Sequence, residues 1–142
     1  LIPYAYVGNI SERVDLYRKL DAIANENELH AFRTMLEDRF GPLPPQTEEL
    51  LMVVELRWLA RGLGVEKIIL KQSTLITYFV SDPESSFYRS ERFREVIGNI
   101  QASPLLFSMR EDQDRLSLRS DHVESIQDAC RILQKLGIKQ AQ

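Results

Sequence analysis

Few side chains in this sequence are of types that could perform chemistry, and they are spread along the chain. The two histidines, His30 and His122, are far apart in the sequence, and each lies near the start of a predicted helix. A shared catalytic or metal site would require the fold to bring them together with acidic groups. The simpler interpretation is that both are partly exposed residues at helix starts.

The single cysteine, Cys130, allows neither an internal disulfide nor a cysteine-rich zinc site. It lies on the apolar face of the last predicted helix, without a basic neighbour to activate it as a nucleophile, so we expect a buried structural thiol. Trp58, the only tryptophan, lies in a strongly apolar helix. We expect it to belong to the core rather than to anchor an interface.

The acidic residues Glu111, Asp112 and Asp114 are of the kind that bind calcium. This run lacks the glycine and the distant glutamate of an EF-hand loop, so a solvated polar turn is the better interpretation. Neither of the two common glycine-rich phosphate-binding motifs occurs in the sequence. We therefore expect no catalytic residue, no metal and no cofactor in this chain.

One group of arginines is interleaved with aromatic residues, a pattern found in proteins that bind nucleic acids. The arginines are Arg89, Arg92 and Arg94, and the aromatic residues are Phe87, Tyr88 and Phe93. Neighbouring glutamates offset much of this charge, and the whole chain has a net charge of −3. We expect a solvated amphipathic helix here, with a DNA or RNA contact as the alternative.

These residues must be positioned by the elements that the apolar spacing and the turn residues predict. The sequence predicts helices over about Ile10–Asn25, Glu28–Phe40 and Phe87–Ile100. It also predicts a third helix that opens in Pro44-Pro45-Gln46-Thr47-Glu48 and is ended by Gly62 and Gly64, and a last helix from a capping box at Asp121–Glu124 to Gly137. Two hairpins are predicted, Val65–Lys71 with Thr74–Val80 and Leu105–Met109 with Leu116–Arg119. Three N-terminal helices, then two hairpins forming an antiparallel sheet with two further helices packed on it, make an α+β fold. We expect one domain over residues 1–142, with residues 1–8 as a linker or lead-in segment.

The stretch from Leu36 to Pro44 has the least common residue pattern in the chain. Phe40 ends the apolar periodicity of the second helix, Gly41 has the position of a C-terminal cap, and the following prolines prevent the helix from continuing. No apolar run reaches the roughly 20 residues of a membrane span, and no signal peptide is evident. The start at Leu1 suggests a piece excised from a longer protein.

Several segments of residues 1–70 resemble the C-terminal domain of bacterial transcription-repair coupling factor, the TRCF family. The first helix contains Arg13-Val14-x-x-Tyr17-Arg18-Lys19-Leu20, similar to a family pattern in the same place. Leu36-Glu37-Asp38-Arg39-Phe40-Gly41-Pro42-Leu43-Pro44 resembles the family signature hydrophobic-x-Asp-Arg-Phe-Gly-x-Leu-Pro. Leu63-Gly64-Val65-Glu66-Lys67-Ile68 resembles the family's start of the sheet, and Ile2-Pro3-x-x-Tyr6-Val7 its first segment.

The resemblance implies a regulatory, autoinhibitory domain of a bacterial, cytoplasmic DNA repair protein. The whole family member is an ATP-dependent DNA translocase with helicase-like motor domains. It acts on stalled RNA polymerase and DNA through other domains and recruits UvrA for nucleotide excision repair. This domain would fold onto the UvrB-like module of its own chain and mask the UvrA-binding surface, without a cofactor and without catalysis.

Within that resemblance, Asp38 and Glu37 are the candidate contacts with the UvrB-like module, because acidic side chains could pair with basic residues there. The alternative for both is local solvation of the helix or pairing with Arg33 or Arg39. Arg39, Phe40, Gly41, Leu43 and Pro44 are taken as mainly structural. Met35 replaces an acid that some family members carry one turn before Asp38. The rival function is an accessory nucleic-acid contact through the arginine group.

Overall fold

The structure is a computed structural model that describes residues 1–112 and 115–138, except the side chain of Asp112. The described residues form five α-helices, a short 3₁₀ helix and four strands. The helices are α1 (Ile10–Ala22), α2 (Glu26–Phe40), α3 (Pro45–Gly62), α4 (Glu91–Ala102) and α5 (Ile126–Leu136), with the 3₁₀ helix at Ser86–Arg89. The strands are β1 (Val65–Lys71), β2 (Thr74–Phe79), β3 (Ser108–Asp112) and β4 (Arg115–Asp121). The predicted α+β class and element order are confirmed, and none of these helices is long and apolar enough to cross a membrane.

Contacts between Cα atoms divide the chain into two compact units, Leu1–Trp58 and Leu59–Gln142. The first unit contains α1, α2 and most of α3. The second contains the end of α3, the sheet, α4 and α5. The interpretation of residues 1–142 as one regulatory domain stays a prediction.

Side-chain caps fix the helix starts in the first unit. Asn9 accepts a hydrogen bond from the backbone N–H of Glu12 and opens α1, as predicted. Asn25 accepts one from the N–H of Glu28, while the Glu28 carboxylate accepts from the N–H of Ala24. Because Asn25 is the cap, α2 begins at Glu26 rather than Glu28, and α1 ends at Ala22 rather than Asn25.

The core of the first unit lies between one face of each of its helices and the lead-in segment. Its buried residues are Ile2, Val7, Leu16, Leu20, Ile23, Leu29, Phe32, Leu36, Leu51 and Val54. Trp58 is half-buried and packs against this cluster, as predicted. Burial of apolar surface at about 25 cal/mol per Å² is the main force that holds the three helices together.

The four strands form an antiparallel sheet in the order β1-β2-β4-β3. Side chains alternate between the two faces of a sheet. Leu75, Thr77 and Phe79 of β2 and Leu118 and Ser120 of β4 are all buried and share the core face. The residues between them therefore lie on the opposite face.

Two helix starts in the second unit differ from the prediction. The segment 87–100 is interrupted by Ser90, whose hydroxyl accepts from the N–H of Phe93 and opens α4 after the 3₁₀ helix. The predicted capping box at Asp121–Glu124 is wrong. Ser125 caps α5, and Asp128 accepts from the N–H of Glu124.

The second hairpin is also shifted. β3 runs over Ser108–Asp112 instead of starting at Leu105, because the chain makes turns after Ser103 before it extends. β4 starts at Arg115 and continues to Asp121. The predicted polar turn falls partly on residues 113 and 114, so Asp114 lies outside the described residues.

Candidate functional site

Two acidic residues lie exposed in the last turn of α2. Glu37 and Asp38 both face solvent, and the helix ends two residues later at Phe40. Within the described part of the chain, Asp38 forms neither a hydrogen bond nor an ion pair. It has no charged neighbour three or four residues away on the helix, because those positions hold Thr34, Met35, Gly41 and Pro42. Its charge is therefore not neutralised locally.

The arginines that could have neutralised these acids pair elsewhere. Arg33 donates to Glu48 of α3, with an N–O distance of 2.5 Å. Arg39 donates to Glu12 of α1, with an N–O distance of 3.1 Å. The hydrogen bond to Glu48 is the main cause of the raised pKa of Arg33, and the charge of Glu37 adds a smaller contribution. The proposed local pairing is thus present only as this weak electrostatic effect of Glu37 on Arg33.

The helix dipole makes this position unfavourable for acids. The C-terminal end of an α-helix carries a partial negative charge, which favours cations and disfavours carboxylates by about 0.3–1 kcal/mol each at exposed sites. Arg39 is the basic residue in this turn, but its guanidinium pairs with Glu12. Asp38 and Glu37 thus present uncompensated negative charge to solvent at a place where α2 alone would favour the opposite charge.

A tyrosine from the lead-in segment, Tyr6, contacts the residues on either side of Glu37 and Asp38. The Tyr6 hydroxyl donates to the carbonyl oxygens of Gly41 at 2.7 Å and Leu36 at 3.2 Å. Its ring packs on Phe40, with centroids 5.8 Å apart. Burial raises the pKa of Tyr6, and the charge of Glu37 raises it further.

The remaining signature residues form the connection between α2 and α3. Gly41 has φ of 88°, a value that residues with a Cβ rarely adopt. The Arg39 guanidinium lies 5.0 Å from the Phe40 ring centroid, and Leu43 packs against the core cluster. The Pro44 carbonyl accepts from the N–H groups of Thr47 and Glu48 at the start of α3. These contacts tie the end of α2 to the lead-in segment and to the start of α3.

The three arginines in the second unit do not form one patch. Arg89, Arg92 and Arg94 are exposed, but Arg92 lies 3.4 Å from Glu95. Arg94 donates instead to the carbonyl of Arg89, and residues 92 and 94 are about 200° apart around α4. The cluster is therefore split between two sides of the helix.

The aromatic residues between these arginines are occupied within the fold. The rings of Phe79, Phe87, Tyr88 and Phe93 pack on one another, with centroids 5.0–6.4 Å apart. The Tyr88 hydroxyl also donates to the carbonyl of Val80. Base stacking needs rings with an open face. The rings of Phe87, Tyr88 and Phe93 are half-buried and contact one another, so the segment offers little ring surface for stacked bases.

The remaining candidates for chemistry belong to different elements of the two units. His30 lies on α2 in the first unit. His122 lies in the second unit, where it lines an open groove of about 500 Å³ with Asp121, Asp128 and Arg131. Cys130 is buried, as predicted. Glu111 lies on β3, and among the described residues no group of three His, Cys, Asp or Glu side chains is placed to hold a metal ion.

A group of basic residues lies on the sheet face opposite the core, and the sequence alone did not predict it. Strand register places Lys67 and Lys71 of β1, Arg110 of β3, and Arg115 and Arg119 of β4 on this face. We call it the basic sheet face. The alternation Lys67-x-Ile69-x-Lys71 was a visible signal, but the pairing of β2 with β4, which joins the two hairpins, was not.

Comparison with known proteins gives one consistent result. The family model described as the TRCF domain matches residues 1–90. The transcription-repair-coupling factors of Haemophilus influenzae and Escherichia coli are 38% and 34% identical to this chain over 68 residues, and that of Borreliella burgdorferi is 35% identical over 74 residues. These matches cover 48–52% of this chain and 6–7% of the relatives, so the chain spans a small part of their length.

A solved structure shares the fold. The crystal structure of the C-terminal domain of transcription-repair coupling factor matches with a TM-score of 0.78, covering 95% of this chain and 82% of that chain, at 18% identity. The structural likeness extends beyond residue 90, where the family model ends. The match of the family model to more than half of the residues shows that this chain belongs to the TRCF domain family.

Proposed function

We propose that this chain is the C-terminal regulatory domain of a bacterial transcription-repair coupling factor and that it holds that protein in an autoinhibited state. In this state the domain binds the UvrB-like module of its own chain and masks the surface that recruits UvrA. The parent protein acts in the cytoplasm as an ATP-dependent DNA translocase on stalled RNA polymerase. Its motor lies in other domains, and this domain contributes binding rather than catalysis.

The observation that carries the proposal is the uncompensated charge of Asp38 in the last turn of α2. The end of this helix is held by the hydrogen bond from Tyr6 to the carbonyl of Gly41. No described residue neutralises the Asp38 carboxylate there. A basic surface on a partner would neutralise it and would offset the unfavourable interaction with the helix dipole. Glu37 lies beside it and adds a second negative charge, although part of its field acts on Arg33.

A domain tethered to its target needs only weak contacts to stay bound. Covalent connection supplies an effective concentration that reaches the millimolar range for short flexible linkers. A modest interface held partly by charge pairs would therefore close most molecules and still open when another ligand competes. Two acidic residues on one rigid helix end fit such a reversible contact.

Charge reversal in the full-length parent protein tests the proposal. Glu37→Arg combined with Asp38→Arg replaces attraction to a basic partner surface by repulsion. If the charge pairs contribute about 1–3 kcal/mol, the open fraction and hence UvrA binding should rise about 5- to 150-fold while the closed state still dominates. UvrA binding is measured by biolayer interferometry with immobilised UvrA and the purified full-length variant.

The matched control is Glu26→Arg at the opposite end of the same helix, about 18 Å away at 1.5 Å per residue. Glu26 is exposed and acidic like Asp38, but it lies in the first turn, where the dipole favours an acid. The control variant should therefore be slightly less stable than the parent and should bind UvrA no better. A rise in UvrA binding in both variants would point to general destabilisation and contradict the assignment of the acid pair.

A second measurement separates the site from the role of the whole domain. The isolated chain should bind the isolated UvrB-like module of its parent, and the double reversal should weaken that binding. Binding that is unaffected by the reversal would keep the autoinhibitory role and reject Asp38 and Glu37 as contacts. Absence of any binding between the two purified parts, with UvrA recruitment unchanged after deletion of this domain, would reject autoinhibition itself.

A further inference from the structure

The basic sheet face has the charge distribution of an interface. One row across the sheet runs Lys67, Tyr78, Ser117 and Arg110, and the next runs Ile69, Ile76, Arg119 and Ser108. Arg115 stands beside Tyr78, and Lys71 lies at the end of β1. Basic residues thus surround a small centre formed by two isoleucines and a tyrosine.

The centre of this face is apolar and only half-buried. Ile69 and Ile76 are direct register partners on β1 and β2, and both are partly accessible. Tyr78 is also half-buried, with the Lys67 ammonium 5.5 Å and the Arg115 guanidinium 5.1 Å from its ring centroid. Tyrosine and arginine are the residues that most often dominate binding energy at protein interfaces.

Part of the positive charge has no carboxylate partner among the described side chains. Arg115 lies 3.6 Å from Glu66, and Arg119 lies 3.3 Å from Asp121. Among the described side chains, which do not include that of Asp112, none forms an ion pair with Lys67, Lys71 or Arg110. The last three lie on the two edge strands of the sheet, on opposite sides of the apolar centre.

We propose that the basic sheet face is a second docking surface, which binds an acidic protein segment with apolar side chains at its centre. The apolar centre would contact the partner's apolar residues, and the unpaired cations around it would contact the flanking carboxylates. This is the arrangement of apolar core and polar rim found in protein interfaces. The inference rests on the second unit alone and does not depend on the acid pair of α2.

A nucleic acid fits this face less well. Single-stranded nucleic acids bind sheets through aromatic rings that stack on bases, and Lys67 and Arg115 lie against the ring of Tyr78. Asp121 and Glu66 reduce the net charge of the face through their pairs with Arg119 and Arg115. Phosphates would also gain nothing from Ile69 and Ile76, whereas apolar side chains of a protein would.

The area of the face implies a weak, reversible contact. Four strands about 4.8 Å apart and five residues at about 3.3 Å per residue give a face of roughly 300 Å². Stable complexes bury about 800 Å² on each partner. Binding should therefore be strongest at low ionic strength and should weaken as salt is added.

Fluorescence polarisation with three labelled probes tests this proposal on the purified chain. The first probe is the peptide Glu-Glu-Glu-Val-Ile-Val-Glu-Glu-Glu, which has acids on both sides of an apolar centre. The second replaces Val-Ile-Val by Gly-Ser-Gly at the same charge, and the third is an oligothymidylate of equal charge. The first probe should bind at least about threefold more tightly than the other two, because only it uses the apolar centre.

Variants locate the binding on the face. Lys67→Glu with Arg110→Glu should reduce affinity for the first probe about tenfold or more, since both unpaired cations become repulsive. Arg89→Glu with Arg94→Glu changes the same charge elsewhere in the unit and should leave affinity within about twofold. Ile69→Ser should weaken binding of the first probe and leave the second unchanged.

The proposal is overturned by any of three results. The first is tighter binding of the oligothymidylate than of the apolar-centred peptide. The second is an equal loss of affinity for that peptide in the Lys67/Arg110 and Arg89/Arg94 variants. The third is no detectable binding of the peptide at low salt. Self-association of the chain that disappears in the Lys67/Arg110 variant, with no peptide binding, would likewise assign the face to a second copy and reject the acidic segment.

Discussion

Removing the charge of Asp38 should stabilise the first unit rather than weaken it. Asp38 forms no hydrogen bond or ion pair with the described residues, and it lies in the last turn of α2. Asp38→Asn removes an unfavourable dipole interaction of about 0.3–1 kcal/mol while keeping shape and a similar helix propensity. Asp38→Lys should give a larger gain, because a cation is favoured at this end and lysine is a better helix former.

The expected size of the effect is measurable by urea unfolding. Trp58 is the only tryptophan, and it packs against the core of the first unit, so its fluorescence reports on that unit. A gain of about 1 kcal/mol should raise the unfolding midpoint in urea without changing the slope, and should raise Tm by about 2–4 °C in a chain of this size. The gain should shrink in 1 M salt, where the Debye length falls to about 3 Å.

The opposite outcome would refute the reasoning about the candidate contact. If Asp38→Asn lowered the free energy of unfolding by more than about 0.5 kcal/mol, the carboxylate would be supporting the fold, and no partner would be needed to explain it. Glu26→Gln provides the internal standard, because the same loss of charge at the start of α2 should destabilise by about 0.3–1 kcal/mol. Both variants are compared at the same pH and salt.

Three further substitutions test the packing of the second unit by circular dichroism during urea unfolding. Gly64→Ala should lower the free energy of unfolding by about 2–4 kcal/mol, because φ is 73° and a Cβ would lie 2.4 Å from the Phe87 ring. The control Gly62→Ala should be neutral or stabilising, because there is open space around Gly62. Asn99→Leu should cost about 2–4 kcal/mol, since the buried amide donates to two carbonyls at the end of α5, at 2.7 and 2.8 Å. Thr77→Val should stabilise by about 1 kcal/mol, because its buried hydroxyl has no hydrogen-bond partner among the described residues.

Capping preferences predicted a helix end correctly where only one nearby residue was suited to end that helix. Gly41 was the only glycine near the end of α2, so that end was correct, and the start of α1 at Asn9 was also correct. The start of α5 was wrong because Asp121 and Ser125 are both good caps four residues apart. The structure chose Ser125, and β4 extends through Asp121 to pair with Thr74.

The candidate site was only partly predictable, because its electrostatics depend on long-range pairing. The sequence places Arg33 and Arg39 next to the acids, which suggested local neutralisation. Packing of the helices instead pairs Arg33 with Glu48 and Arg39 with Glu12, residues 15 and 27 positions away. The aromatic rings of the arginine segment likewise pack on one another and are half-buried, a tertiary effect that composition does not contain.

A charged side chain says little about function until its partners inside the fold are known. Some exposed charges here are neutralised locally, as in the pairs Lys19–Asp15 and Arg131–Asp128 on single helices, and such pairs contribute only a few tenths of a kcal/mol. Asp38 differs because the helix dipole opposes it and no described residue compensates for it. A residue that lowers local stability needs another reason to be present, and a cationic partner surface supplies one. If Asp38→Asn stabilises the chain while reversal of the acid pair increases UvrA recruitment, Asp38 lowers the stability of α2 and contributes to binding of the partner.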